Sequence, residues 1–482
     1  MTFKVLLINP PSSRLYLPNR ENYFPLALMS LASVLKENSV RVKIADIENH
    51  FYSHALSQTA LYYYLKTYLH RILQTFHPDL IGIGCIFSGA FHNVTLIAHF
   101  IKQQQPNTPI VIGGIHPTVF AEEILTRYSD TDYIVLGEGE DTLVSLVGVL
   151  TNRDKDVRAI DGIAFRCKGK VIVNPKTKYI YPLDELPYPD YKSIDVKTYK
   201  MDTSQWYSPG GKDLGQPFPI ISSRSCPQKC SFCSMWLAHG AGFRPRTAKH
   251  VLDEMEYLYK EYKTQFFQFM DDNMTFDKSR TMELCAGIHN RGMNIQFETP
   301  NGIAINRLDR QMIDALVKAG MTRTALGIES GSDYIRNKVI RKGLSTEKIY
   351  DIVNACAEHN TLFIKGFFVI GFVEETLETL QDTYNMITSL PFDKISVNFV
   401  TPYPGTAFYK QCIKAHLLRY KEEDYLDVAT FQDSDPLPHI KPSALTYDNL
   451  IDFKHKCMAY MDGKREKVKV PNNYPLRYVG TR

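Results

Sequence analysis

Apolar positions in the first ~150 residues alternate between two kinds of run. Short continuous stretches, Val5 to Asn9, Val40 to Ala45, Leu80 to Phe87, Ile110 to Ile112 and Ile134 to Leu136, read as strands buried on both faces. Between them, Leu28, Leu31, Val34 and Leu35 recur at helical spacing within Pro25 to Lys36, and Leu96 to Gln103 predicts another helix. Glycines follow two strands directly, as Gly113-Gly114 and as Gly137-Glu138-Gly139-Glu140. Strands separated by helices predict a doubly wound, Rossmann-like parallel sheet with its ligand at the carboxyl edge.

Residues 151–215 break this pattern. They are rich in Pro, Tyr, Asp and Lys, as in Leu186-Pro187-Tyr188-Pro189-Asp190, and read as a surface linker with a short hairpin. A second alternation runs over residues 216–415, with strands at Pro219 to Ser222, Gln265 to Met270, Asn294 to Glu298, Arg323 to Ile328, Leu362 to Ile370 and Lys394 to Val400. Val251, Leu252, Met255, Leu258, Tyr259 and Tyr262 form an apolar helical stripe between the first two, and Met312 to Ala319 is a helix closed by Gly320. These strand–helix units predict a partial (β/α)6 barrel of the TIM type. Its chemistry belongs on the rim where Asp271-Asp272-Asn273, Asn301-Gly302, Glu329-Ser330 and Gly371 follow their strands. Residues 416–482 predict a small, mostly helical cap, including Tyr447 to Tyr460. The expected division is therefore 1–150, 151–215, 216–415 and 416–482.

Composition narrows the class. A chain of 482 residues with 44% hydrophobic and 22% charged positions suits two or three folded domains. A net charge of +4 gives no electrostatic reason for a nucleic-acid or anionic-membrane partner, and the basic run Lys464 to Lys469 reads as a solvated terminus. No apolar run approaches the roughly 18 residues of a membrane helix. Lys4 to Ile8 reads as a strand rather than a secretion signal, so a cytoplasmic protein is expected. The chain has nine cysteines. Cys85, Cys167, Cys285, Cys356, Cys412 and Cys457 are scattered, while Cys226, Cys230 and Cys233 are clustered. That suits a reducing compartment and one metal or redox site, not a disulfide framework.

Three thiolates on one short loop can wrap a single metal centre. Three rather than four leave one iron of a cubane cluster open to a cosubstrate. A structural zinc completed by a histidine such as His239 is the alternative. The spacing Cys226-x3-Cys230-x-Phe232-Cys233 resembles the signature of the radical S-adenosylmethionine (SAM) superfamily. Four later segments resemble it in order: Asp271-Asp272-Asn273, Gly327-Ile328-Glu329-Ser330-Gly331-Ser332, Phe368-Val369-Ile370-Gly371 with Glu374, and Pro402 to Thr406. The resemblance implies a [4Fe-4S] cluster on the three cysteines. It implies SAM contacts from Phe232, Asp271, Asp272, Asn273, Asn301, Glu329, Ser330 and Gly371. For Asp271 and Glu329 a purely structural rim role stays open, and Lys342 reads as a surface lysine.

Pro78 to Ile83, Ile112 to Thr118 and Val135 to Asp141 resemble the cobalamin-binding domain found ahead of many radical SAM domains. That likeness directs Gly113, Gly114, His116, Gly137, Glu138 and Gly139 toward cobalamin, with tight turns as the competing use of the glycines. The Asp-x-His-x-x-Gly motif of cobalt-ligating histidines is missing: Asp46-Ile47-Glu48-Asn49-His50 does not match it, and His116 reads as a loop-shaping residue. The family likeness implies reductive cleavage of SAM to a 5′-deoxyadenosyl radical, an electron donor such as flavodoxin or ferredoxin, and methylation of an unactivated carbon in a small molecule. Radical cyclisation, rearrangement or oxidation without methyl transfer is the alternative, and a non-catalytic cobalamin or iron–sulfur sensor is a third. Trp206, Tyr207 and Trp236 are candidate substrate linings.

Overall fold

A computed structural model describes residues 2–12, 23–52, 58–86, 88–152, 156–199, 214–419, 438–440, 444–468 and 475–476. The first sheet contains β1 (Lys4–Asn9), β2 (Arg41–Asp46), β3 (Leu80–Gly84), β4 (Ile110–Gly113), β5 (Tyr133–Val135), β6 (Ile163–Cys167) and β7 (Lys170–Asn174), in the order β2-β1-β3-β4-β5-β6-β7. The first five are parallel. Neighbouring side chains of β1 enter different cores. Val5 and Leu7 pack with Leu28, Met29 and Leu143, whereas Leu6 and Ile8 pack with Leu69, Phe91 and Ile97. Burial on both faces is why this strand is continuously apolar. Strand order reverses between β1 and β3, which opens a crevice at the carboxyl edge.

The hairpin in the segment read as a linker is not a loose surface feature. Its strand β6 adds antiparallel to β5 and buries Ile163, Ala164 and Phe165, and β7 adds antiparallel to β6 at the sheet edge. Lys168 and Gly169 both have positive φ at its tip, as a tight hairpin turn requires.

The second sheet is formed by β8 (Phe218–Ile220), β11 (Phe266–Phe269), β12 (Gln296–Ile303), β13 (Met321–Glu329), β14 (Phe363–Ile370) and β15 (Lys394–Phe399), all parallel, in the order β15-β14-β13-β12-β11-β8. A small antiparallel pair, β9 (Ser223–Arg224) with β10 (Arg244–Pro245), brackets the cysteine loop. The barrel is partial, with β8 and β15 at its edges. The helix Tyr447–Val468 packs on β15, and its Arg465 donates to the Asp393 carbonyl at that strand's amino end. One rim expectation changes. β12 continues through Asn301 and Gly302 with a register shift between Thr299 and Ile303, so these residues lie in an irregular strand end instead of a loop.

Candidate active site

The cysteine loop is pinned by backbone bonds. Ser231 N–H donates to the Ile340 carbonyl (2.9 Å), Phe408 N–H donates to the Ser231 carbonyl (2.9 Å), and Cys233 N–H closes a turn on the Cys230 carbonyl (3.1 Å). The three thiols are free and partly buried, and Asn273 Nδ2 approaches Cys226 Sγ at 3.5 Å. Burial pushes the Cys230 thiol up and the Cys233 thiol up to about 12. Left alone they stay protonated, so a bound cation is what would hold them as thiolates. This donor set fits a cubane. A single zinc would draw its sulfurs to within about 4 Å of one another, whereas a cubane gives each thiolate its own iron. Among the described residues no three His, Cys, Asp or Glu side chains are gathered around a single-ion site. His239, the proposed fourth zinc ligand, instead turns Nδ1 toward Glu138 Oε1 at 3.4 Å.

The rim carboxylates divide by role. Asp271 accepts from the Ser222 backbone (3.1 Å), the Ser222 hydroxyl (2.7 Å) and the Ser223 hydroxyl (2.5 Å), tying the end of β8 to the end of β11. Asp272 accepts from Ser225 N–H (3.0 Å) beside Cys226, and burial raises its carboxyl even though His239 opposes the shift. Glu329 ends β13 with φ +71°, a left-handed conformation that a side-chain-bearing residue adopts at a cost of order 1–3 kcal/mol. Its Oε1 meets Lys342 Nζ at 2.6 Å. Lys342 is therefore not the surface lysine read from sequence: its side chain is only 13% exposed. Burial, the largest influence, works against its ammonium, but the Glu329 carboxylate together with the nearby Cys230 and Cys233 raises it overall.

Other rim positions serve backbone geometry. The Ser330 hydroxyl is fully buried and meets Thr383 Oγ1 at 3.3 Å. Gly371 has φ +93° and donates its N–H to Glu375, a carboxyl that burial pushes up to about 8. Asn301 Nδ2 donates to the Met270 carbonyl (3.0 Å), and Phe232 packs edge-on against Phe372 at 5.9 Å. Arg336 went unnoticed in the sequence. Fully buried, it donates to the carbonyls of Leu344 (2.7 Å) and Ser330 (2.8 Å), fixing the turn after Glu329. Periodicity carries no signal for such a residue, because its partners, these carbonyls together with the Asp333 carboxylate and the Thr346 hydroxyl, are set by the local turn. Trp236 is partly buried on the helix Met235–His239, while Trp206 and Tyr207 lie outside the described residues.

At the carboxyl edge of the first sheet, Gly114 has φ +120°, and a Cβ there would stand 2.4 Å from the Cys85 carbonyl oxygen. A Cβ on Gly137 would meet the Ala238 carbonyl at 2.9 Å, so this loop packs directly on the helix that follows Cys233. Gly113 closes β4, and Gly139 lies against Leu31. His116 is 2% exposed, lies between Phe91 and Phe120, and shares a hydrogen bond with Ser88 Oγ at 2.9 Å. Burial lowers its imidazole to about 3. The unfolded chain takes up that proton near 6.5, so stability tied to His116 is complete above 6.5 and is lost as pH falls toward about 3. The expected NMR result is a His116 ring resonance that does not move between pH 8 and pH 5; a midpoint near the ordinary histidine value, about 6.5, would contradict this burial.

Two family models match: the B12 binding domain over residues 20–147 and the Radical SAM superfamily over residues 220–387. The chain is 30% identical over 417 residues to an uncharacterized methyltransferase of Pyrococcus horikoshii, spanning 86% of this chain and 84% of that protein. It is 27% identical over 456 residues to the cytidylyl-2-hydroxyethylphosphonate methyltransferase of Streptomyces wedmorensis, spanning 88% and 84%. Its fold is similar to that of the radical SAM methyltransferase TsrM from Kitasatospora setae, a structure with cobalamin and a [4Fe-4S] cluster bound: TM-score 0.68, 18% identity, 86% of this chain and 75% of that one. Barrel, three-cysteine loop and family match define a radical SAM enzyme. Within that class the chain belongs to the family that carries a B12 binding domain ahead of the radical SAM domain. The cofactors of that family are a [4Fe-4S] cluster, SAM and cobalamin. Among the described residues no helix is long and apolar enough to cross a membrane.

Proposed function

We propose that this chain is a cobalamin-dependent methyltransferase that methylates an unactivated carbon of a small molecule. The observation that carries the reading is the approach of two carboxyl edges: the Gly137 loop of the first sheet packs on the helix Met235–His239 directly after the cluster cysteines. The two relatives named as methyltransferases support the same reading. When bound, the cluster and SAM supply a radical that opens a carbon–hydrogen bond, and cobalamin supplies the methyl carrier.

The chain's own residues hold and orient. Cys226, Cys230 and Cys233 are assigned as the cluster ligands, with Asn273 bonded to the Cys226 sulfur. Phe232, Asp272, Asn301, Glu329, Ser330 and Gly371 are assigned to the SAM side, and Asp271 to fixing the strand ends beneath it. Gly113, Gly114, His116, Gly137 and Gly139 shape the cobalamin-side loops, where backbone can approach a flat ligand. The first domain runs past residue 150 to take in β6 and β7, the later divisions fall near residues 215 and 415, Trp236 faces the substrate, the compartment is cytoplasmic, and a flavodoxin or ferredoxin is the electron donor.

Protein reconstituted without oxygen, given dithionite and SAM, is expected to release 5′-deoxyadenosine. With hydroxocobalamin added it is expected to form S-adenosylhomocysteine as well. Release of 5′-deoxyadenosine with no S-adenosylhomocysteine would replace methyl transfer by cyclisation, rearrangement or oxidation.

A further inference from the structure

Glu138 is 4% exposed, and both of its oxygens are already engaged. Arg244 reaches it with two nitrogens, one of them Nη1 at 3.1 Å from Oε2. Arg224 Nη1 stands 3.5 Å from Oε2, and His239 Nδ1 stands 3.4 Å from Oε1. Two residues on, Glu140 accepts from Arg224 Nη2 at 2.6 Å and from the Ser30 hydroxyl at 3.0 Å. Burial acts to raise the Glu138 carboxyl, but the bonds from His239 and Arg244 and the Arg224 charge hold it at about 2. Two buried carboxylates thus face two largely covered guanidinium groups across the junction of the two sheets.

The partners lie close to the cluster in the chain. Arg224 precedes Ser225-Cys226. The Ser225 hydroxyl donates to the Gly240 carbonyl (2.6 Å), and Arg244 Nη2 donates to the neighbouring His239 carbonyl (2.8 Å). Arg244 also donates to the Ile180 carbonyl (2.7 Å) and stacks over Tyr179 at 5.3 Å. A short path of bonds therefore joins Cys226 to the loop after β5. A bidentate arginine–carboxylate pair fixes orientation as well as distance.

We propose that Glu138 is a positioning residue, not a cobalamin contact: with Arg244 and Arg224 it sets the placement of the first sheet's carboxyl-edge loop relative to the cluster loop. The proposal deepens the methyltransferase reading, since transfer between two cofactor sites depends on their separation. Glu138→Gln keeps the size but removes the charge, and Arg244→Lys keeps the charge but removes the bidentate fork.

The test uses the full chain in two states. In the apo protein, hydrogen–deuterium exchange of Met235–His239 and of residues 136–140 is expected to rise at least tenfold in both variants, with the interiors of β1 and β13 unchanged. In the reconstituted protein, iron content and cobalamin affinity stay within twofold of wild type. S-adenosylhomocysteine formation falls at least tenfold relative to 5′-deoxyadenosine formation. Unchanged exchange with at least tenfold weaker cobalamin binding in Glu138→Gln would overturn the proposal by making Glu138 a cofactor contact. Uniformly faster exchange through both sheets would overturn it by making the network a general fold support. A wild type that forms no S-adenosylhomocysteine would sink the methyltransferase reading and leave the exchange result to decide the positioning role.

Discussion

Cys230→Ala is expected to lose the cluster and reduce 5′-deoxyadenosine formation at least about a thousandfold, the equivalent of about 4 kcal/mol in the barrier. Two thiols cannot hold a cubane that already gives up one protein ligand to keep an iron open. The fold should survive. The loop is held by backbone bonds from Ser231 to Ile340 and from Phe408 to Ser231, and alanine leaves both in place. Cys230 is only partly buried, so truncation opens little core volume. Iron and sulfide analysis after anaerobic reconstitution, together with circular dichroism, separates ligand loss from unfolding. Cys285→Ala is the control: Cys285 is 5% exposed inside the helix Lys278–Asn290, packed in the core, and its variant should keep the cluster. Undiminished SAM cleavage by Cys230→Ala would remove the basis of the cluster assignment.

The elements that sequence revealed best are those whose apolar runs are buried on two faces. The five parallel strands of the first sheet lie on the runs that marked them, because covering helices demand continuous hydrophobicity; the six barrel strands overlap theirs, with β12 running on past Glu298 to Ile303. β6 and β7 were harder to place. The pairing of β6 with β5 spans an intervening helix, and their Lys168-Gly169 turn is not one of the strongest hairpin signals. Ligand candidates were legible where chemistry needs unusual spacing, as in the cysteine loop. Charged residues were less so. Lys342 looked like any exposed lysine, and Glu138 like part of a glycine-rich ligand loop. In the structure each is buried against an opposite charge brought from another segment. A pairing of that kind lives in tertiary contact and leaves no periodic trace.

The Glu329–Lys342 pair is expected to give the largest loss of stability at the rim. Glu329→Ala strips the partner from a buried ammonium whose carboxylate lay 2.6 Å away. Removing one member of a buried pair costs about 3–5 kcal/mol, because the remaining charge keeps its desolvation without its attraction. Lys342→Met leaves the Glu329 carboxylate, in a residue 8% exposed, in the same position. The double variant removes both charges. It should therefore be less destabilised than the sum of the two single variants, and the cycle closes with a coupling of about 1–3 kcal/mol. A further variant separates charge from backbone. Glu329 has φ +71°, which alanine shares as a strain but glycine relieves. Glu329→Gly should thus be about 1 kcal/mol more stable than Glu329→Ala, while both lose the same ion pair. Urea denaturation of the four apo variants beside wild type measures all these differences. Strict additivity between Glu329→Ala and Lys342→Met would mean that the two groups do not stabilise each other, and Glu329 would then have to be explained by what it binds and not by what it neutralises.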